Sequence, residues 1–257
     1  MMSCSNHVRH KTGESPHREI IQIYAGQFGC QLASACWELF GVEHRIDASG
    51  VCNSSSTEKS DKENMDDYVL YGQLPNGHFA PRTIIADSEP SVVDEIRVGA
   101  YRNFFSPARL ISGYEDASSN FARGYFRIGQ EIMPSTWEAL RHEIESCEHL
   151  QGFVIYQSLS GGTGSGFVSS LLEKLAEEYP RSPRISVSLF PSPTLSCCTV
   201  ESYNTILACG AGFTTADINI LSDNAALMNI CLDHLNLKRP TFPNINRVLA
   251  QVSDVIF

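Results

Sequence analysis

The sequence predicts an α/β fold, a mostly parallel sheet with helices on both faces. Two observations carry that prediction. Short apolar runs of strand length alternate with longer segments of helical period. The unusual residues gather just past those runs, at 26–31, 87–89, 158–166 and 191–201. Open α/β sheets bind ligands at such places, beyond the C-terminal ends of their strands. The 257 residues suit one such domain, and there is no internal repeat.

The elements follow in order. Residues 1–17 are polar and basic without a period, which predicts a disordered leader. Residues 19–25 (EIIQIYA) read as a strand that ends at Gly26. After the turn GQFGCQ, residues 32–43 read as a helix with Leu32, Cys36, Leu39 and Phe40 on one side. Residues 48–66 are rich in Ser, Asn, Glu and Lys and predict a long solvated loop. Residues 83–86 (TIIA) form a short strand, with Asp87 and Glu89 just past its end. A helix is expected at 134–149, and a buried strand at 152–157 (GFVIYQ). A glycine loop then feeds a helix at 167–179, which Pro180 closes. Residues 185–190 (ISVSLF) are a strand, 201–209 a helix, and 218–221 a strand leading into a helix near 222–224. A last helix is expected to start at Asn244 or Ile245 and to run on to Phe257.

Composition narrows the function. Apolar residues make up 42%, enough for a real core, and the net charge is -10. That balance argues against a nucleic-acid groove and against docking on anionic lipid. It leaves room for an anion site built from backbone N–H groups. The nine cysteines are an odd number without a C-x-x-C pair, which suits reduced thiols in a cytoplasmic protein. His7, His10 and His17 lie in the polar leader and lack the partners of a metal site. There is no apolar run of membrane length and no secretory signal, so the expectation is a cytoplasmic chain.

The strongest chemical signal is Ser158-Leu-Ser160-Gly161-Gly162-Thr163-Gly164-Ser165-Gly166, between a strand and a helix. Glycines let several N–H groups converge on one spot, and a helix N-terminus adds its positive end. Together they predict a phosphate cradle rather than a plain flexible turn. The loop lacks the Gly-Lys-Ser/Thr of a Walker A motif. The first turn, Gly26-Gln27-Phe28-Gly29, is not G-x-G-x-x-G, which disfavours a dinucleotide oxidoreductase.

A series of further stretches makes a family resemblance specific. They include Arg18-Glu19, Gly26-Gln27-x-Gly29-x-Gln31, Ala35-Cys36-Trp37-Glu38-Leu39, Asp87-x-Glu89-Pro90 and Glu115-Asp116-Ala117. Asn120-x-Ala122-Arg123-Gly124, Asp223-Asn224-Ala225, Arg239-Pro240-Thr241 and Asn246-Arg247 follow. With Gly161–Gly166 as GGTGSG, this order across 18–257 resembles the tubulin family, most closely α-tubulin. The resemblance implies the Rossmann-like GTPase domain of tubulin and FtsZ at 18–243. Residues 244–257 would begin that family's core helix.

The resemblance also implies roles. Gly26, Gln27 and Gln31 would line the diphosphate. Ser158, Gly161, Gly162, Thr163 and Gly164 would hold the α- and β-phosphates. Ala117 and Ser118 would offer N–H groups near the γ-phosphate. Glu89, with Asp87, would act on Mg²⁺ and its waters. Glu201 would take the ribose hydroxyls, Asn224 and Asn246 would read guanine, and Phe242 would stack on it. The implied ligands are GTP or GDP with Mg²⁺. The implied partners are tubulin subunits, with a β-tubulin-like chain completing a heterodimer in microtubules. Each residue has an ordinary alternative. Glu89 could merely end a strand, and Asn224 or Asn246 could cap a helix. In the family's order these alternatives lose.

The sequence also departs from the family pattern. Ser160 replaces a loop glycine, Phe28 a small residue, Ser119 an Asn, Cys197 a Thr, and Phe242 a Tyr. Together they predict weaker nucleotide binding. The resemblance further implies that residues 1–17 precede the family's usual start, and that the sequence stops inside the core helix. The second domain would be absent, with its acidic tail and the Glu that acts on a neighbour's nucleotide. The expectation is no unaided GTP hydrolysis and no unaided polymer. The rivals are a truncated tubulin relative acting as a binding module and a Rossmann-type enzyme.

Overall fold

A computed structural model describes residues 18–52, 67–192, 195, 196 and 198–255. Residues 1–17, expected as a leader with three histidines, residues 53–66 of the expected loop, Cys197, and residues 256–257, where the last helix was expected to continue, lie outside the described residues. The chain opens with β1 (Glu19–Ala25), α1 (Gly26–Glu43), α2 (Asp67–Leu70), β2 (Tyr71–Gln73) and β3 (Phe79–Pro81). It continues with β4 (Thr83–Asp87), α3 (Pro90–Val98), β5 (Leu110–Ser112), α4 (Phe121–Arg123) and α5 (Gly129–Ser146). Then come β6 (Leu150–Ser158), α6 (Val168–Glu178), β7 (Arg184–Phe190) and α7 (Val200–Thr215). The last elements are β8 (Ile218–Asp223), α8 (Asn224–Asp233) and α9 (Phe242–Asp254).

Six strands form one parallel sheet in the order β5-β4-β1-β6-β7-β8. β2 and β3 make a separate antiparallel pair. From β1 the chain goes first to β4 on one side and later to β6 on the other. The strand order therefore reverses at β1, which places a crevice at its C-terminal end.

The two-residue period of the strands splits the core into two layers. Ile21, Ile23 and Ala25 face one layer with Ile84, Ala86, Phe153 and Ile155, under α5 and α6. Tyr24, Ile85, Val154 and Tyr156 face the other layer, under α1, α3, α8 and α9. Tyr24 and Tyr156 are register partners on adjacent strands, stacked with ring centroids 4.4 Å apart. Trp37 fills the α1 side, fully buried and edge-on to Phe40 and Tyr71. At the N-terminal end of the sheet, the Arg82 guanidinium meets the Glu19 carboxylate at 2.7 Å, and Glu19 also accepts the His149 N–H at 2.9 Å. That buried pair fixes the start of β1.

Several boundaries differ from the sequence expectation. α1 begins at Gly26, not at 32, because the GQFGCQ segment is its first turn and a half. The helix expected from Pro134 starts at Gly129, after α4 and a π-helical turn at Gly124–Ile128. Pro134 thus sits inside the helix, where burial of Ile132, Met133 and Thr136 outweighs the one lost backbone bond. A second π-helical turn, Thr163–Phe167, precedes α6. α7 runs on to Thr215 through Gly210 and Gly212, which lower helix propensity without blocking it. α9 starts at Phe242, capped by a reciprocal Thr241–Asn244 pair. Its last described turn is at Val255.

Candidate functional site

The crevice at the end of β1 opens into a cleft of roughly 490 Å³. Each wall comes from the end of a strand or the start of a helix. Gly26 opens α1 with φ +73, a left-handed conformation that favours glycine. A Cβ there would also lie 3.0 Å from the Gly164 nitrogen, so the first turn packs directly on the glycine loop. Gln27, Phe28 and Gln31 line the cleft from the same helix.

β6 delivers Ser158, Ser160, Gly161, Gly162, Thr163 and Gly164 to the floor. Gly162 touches the loop at 115–120. A Cβ on it would lie 2.8 Å from both the Ala117 Cβ and the Asn120 nitrogen. The buried Ser88 hydroxyl ties the end of β4 to this floor, 2.5 Å from that of Thr163. Ser160 hydrogen-bonds the Ser158 hydroxyl at 3.0 Å, so its extra atoms are held within the loop.

β4 ends in Asp87, 3% exposed, followed by Glu89 at the N-cap of α3. Burial pushes the Asp87 carboxyl up to about 6, against N–H donation from Ser88 and Glu89; the carboxylates of Glu89 and Asp116 raise it further. Asp87, Glu89, Asp116 and Glu201 all line the cleft, and no Lys or Arg does among the described residues. The donors available to an anion here are backbone N–H groups and uncharged side chains such as Gln27, Gln31 and Thr163. Among the described residues no group of three His, Cys, Asp or Glu is placed to hold a metal ion. The carboxylates of Asp87 and Glu89 are hard oxygen donors of the kind Mg²⁺ takes, and that ion seldom needs an all-protein cage.

The far end of the cleft carries the amides. Asp223 caps α8 by accepting the Ala225 N–H at 2.9 Å, which leaves the adjacent Asn224 facing the cleft. Thr241 and Asn244 cap α9, so Asn246 is not a cap either. Asn246 is 7% exposed. The side-chain amides of Asn224 and Asn246 make no hydrogen bond to the described residues. Neither amide is sealed from solvent, so both are open to a ligand in the cleft. Phe242 stands beside them at the first position of α9, 62% exposed. Glu201, in the first turn of α7, accepts the Ser196 hydroxyl at 2.5 Å.

Fourteen of the sixteen expected residues therefore meet in one cleft. Ala117 and Ser118 do not line it. Ala117 is fully buried against Gly162, and the loop presents Asp116 and Ser119 instead. The signal for Asp116 was present in the sequence, as an acid next to Glu115 in a loop. Ser119 was legible only as a departure from the family pattern; φ +51 at both Ser118 and Ser119 accompanies its place in the cleft lining. Cys197, the fourth departure, falls outside the described residues.

The profile of the Tubulin/FtsZ family, GTPase domain, matches residues 19–232. The chain is 39% identical over 235 residues to the tubulin alpha chain of Zymoseptoria tritici, covering 91% of this chain and 52% of that one. It is 40% identical, with the same coverage, to the tubulin alpha-2 chain of Schizosaccharomyces pombe. The tubulin alpha-8 chain of Caenorhabditis elegans matches at 40% over 238 residues, 93% of this chain and 52% of that one. The chain thus spans about half the length of these relatives.

Proposed function

This chain belongs to the Tubulin/FtsZ family, and from that premise we propose that it binds GTP or GDP in the β1–β4–β6 cleft as a tubulin-like cytoskeletal protein. The observation that carries the reading is the pair of unpartnered amides, Asn224 and Asn246, at one end of a cleft whose other end is a glycine-built floor. An amide offers both donor and acceptor, which suits the guanine edge. Phe242 stacks on the base, and Glu201 accepts from ribose hydroxyls. N–H groups of Gly161, Gly162, Thr163 and Gly164 hold phosphate oxygens, aided by the helix start behind them. Gly26, Gln27, Gln31 and Ser158 close the opposite side, and the loop carrying Ala117 and Ser118 covers the last phosphate. Glu89 and Asp87 are the residues that would hold Mg²⁺, and the ion would supply the positive charge that the cleft's own side chains lack.

The partner in this reading is another tubulin subunit, a β-tubulin-like chain, in cytoplasm and microtubules. What supports it is the outer face of α7 beside the cleft, where Tyr203, Ile206 and Leu207 are 67%, 70% and 50% exposed. Apolar side chains grouped this way mark a surface that a partner covers. No helix among the described residues is long and apolar enough to cross a membrane.

Photolabelling tests the site. An azido-GTP probe should attach to the peptide carrying Phe242 and Asn246, and excess GTP should compete while excess ATP should not. Labelling elsewhere, or competition by both nucleotides alike, refutes the assignment.

A further inference from the structure

We propose that Asn204, which no part of the nucleotide reading uses, is a positioning residue that clasps the two phosphate-facing loops at a fixed separation. The inference rests on that reading for its consequence but not for its geometry. Asn204 is 4% exposed, on the inner side of α7, one turn after Glu201. Its amide nitrogen donates to the Ser119 carbonyl at 2.7 Å and to the Ser160 carbonyl at 2.9 Å. Its carbonyl oxygen accepts the Phe121 N–H at 3.0 Å. Both amide protons and the oxygen are therefore engaged.

These three partners belong to two loops far apart in sequence. Ser119 and Phe121 flank the end of the 115–120 loop, and Ser160 lies in the glycine loop. Ser118 and Ser119 both stand at φ +51, a conformation that persists only when surrounding contacts fix it. The bond from Asn204 to the Ser119 carbonyl is one such contact, and the Asn120 N–H to the Ala117 carbonyl at 3.1 Å is another. On the other side of the same junction, Gly162 and Ala117 are already in close contact. Asn204 itself does not line the cleft. It acts through the two loops, by setting where their backbone groups meet phosphate oxygens.

The consequence is selective. Loss of the clasp should weaken binding through the phosphates and leave the base end untouched, since Asn224, Phe242 and Asn246 stand on α8 and α9. Asn204→Leu keeps the branched shape, with somewhat larger methyl groups, and removes every polar contact; Asn204→Ala removes shape and contacts alike. Wild type and both variants are titrated with GTP and with guanosine. Amide hydrogen exchange is measured on the same proteins without ligand. The expected result is a GTP affinity at least tenfold lower in both variants, with guanosine affinity within twofold. Exchange should speed up together at 118–121 and 159–164, with β1 and β6 unchanged. Wild-type GTP affinity in Asn204→Leu would show that packing suffices and overturn the clasp. A parallel loss of guanosine affinity would show general damage and overturn it too. If wild type binds neither ligand, the nucleotide reading fails. The exchange measurement then decides the clasp alone, and unchanged protection of the Phe121 N–H overturns it. If Asn204→Ala does not fold, Asn204→Leu carries the comparison.

Discussion

Replacing Asp87 by asparagine should stabilise the ligand-free protein at neutral pH and weaken its hold on a metal-bound nucleotide. Asp87 is 3% exposed, and among the described residues no Lys or Arg lines the cleft it faces. Burial raises its carboxyl from 3.8 to about 6. A shift of roughly two units corresponds to about 3 kcal/mol of penalty on the ionised form. The sign follows from proton uptake. The folded state holds a proton that the unfolded state releases between about pH 4 and 6, so stability falls as pH rises through that window. The penalty is full above about pH 6 and absent below 3.8. The asparagine of the Asp87→Asn variant carries no charge, and its amide oxygen can still accept the Ser88 N–H that Asp87 accepts at 2.7 Å. Thermal melts from pH 4 to 7.5 provide the assay, read as variant minus wild type so that other carboxylates cancel. At about 2–4 °C per kcal/mol for a domain of this size, the variant should melt roughly 6–12 °C higher at pH 7. The gap should close toward pH 4. Adding GTP and Mg²⁺ should stabilise wild type more than the variant. Parallel pH profiles with no gap at pH 7 refute the reasoning.

Four other substitutions probe the cleft and its frame. Gly162→Ala puts a Cβ 2.8 Å from Ala117 and Asn120, and should cost about 1–3 kcal/mol in urea melts. Gly161→Ala meets nothing within 4 Å and should be neutral within about 0.5 kcal/mol; equal losses at the two positions would rule out loop contact as the cause. Asn246→Ala should weaken GTP by about 1–3 kcal/mol in fluorescence titrations while leaving tripolyphosphate binding unchanged. Unchanged GTP affinity would remove Asn246 from the base site. Arg82→Ala leaves Glu19 buried without its cation and should lower stability by about 3–5 kcal/mol, read from the urea midpoint; a loss under about 1 kcal/mol would show that water reaches Glu19.

The layered sheet was legible in the sequence because β1, β4, β6 and β7 are short apolar runs with clear ends. The glycine floor was legible for a similar reason, since 158–166 concentrates glycines between a strand and a helix. β5 was not, because three residues show no period. α3 was missed although Pro90 stands at its first position, a start signal that the run of charges after it obscured. The π-helical turns at 124–128 and 163–167 leave no local signature. They exist where glycines on two segments pack backbone to backbone. The caps on α8 and α9 could be settled only in three dimensions. Asp223 and Thr241 take those roles, and Asn224 and Asn246 are thereby freed for the cleft. Asn204 was invisible for the same reason, because its three partners are 44 to 85 residues away.

The central claim is that this cleft selects a guanine nucleotide. Calorimetric titration of the purified chain with GTP and with ATP, both with Mg²⁺, tests it most directly. Two amides at the base end predict GTP binding at least roughly tenfold tighter than ATP, the equivalent of about 1.4 kcal/mol. Equal affinity for the two nucleotides would contradict the account.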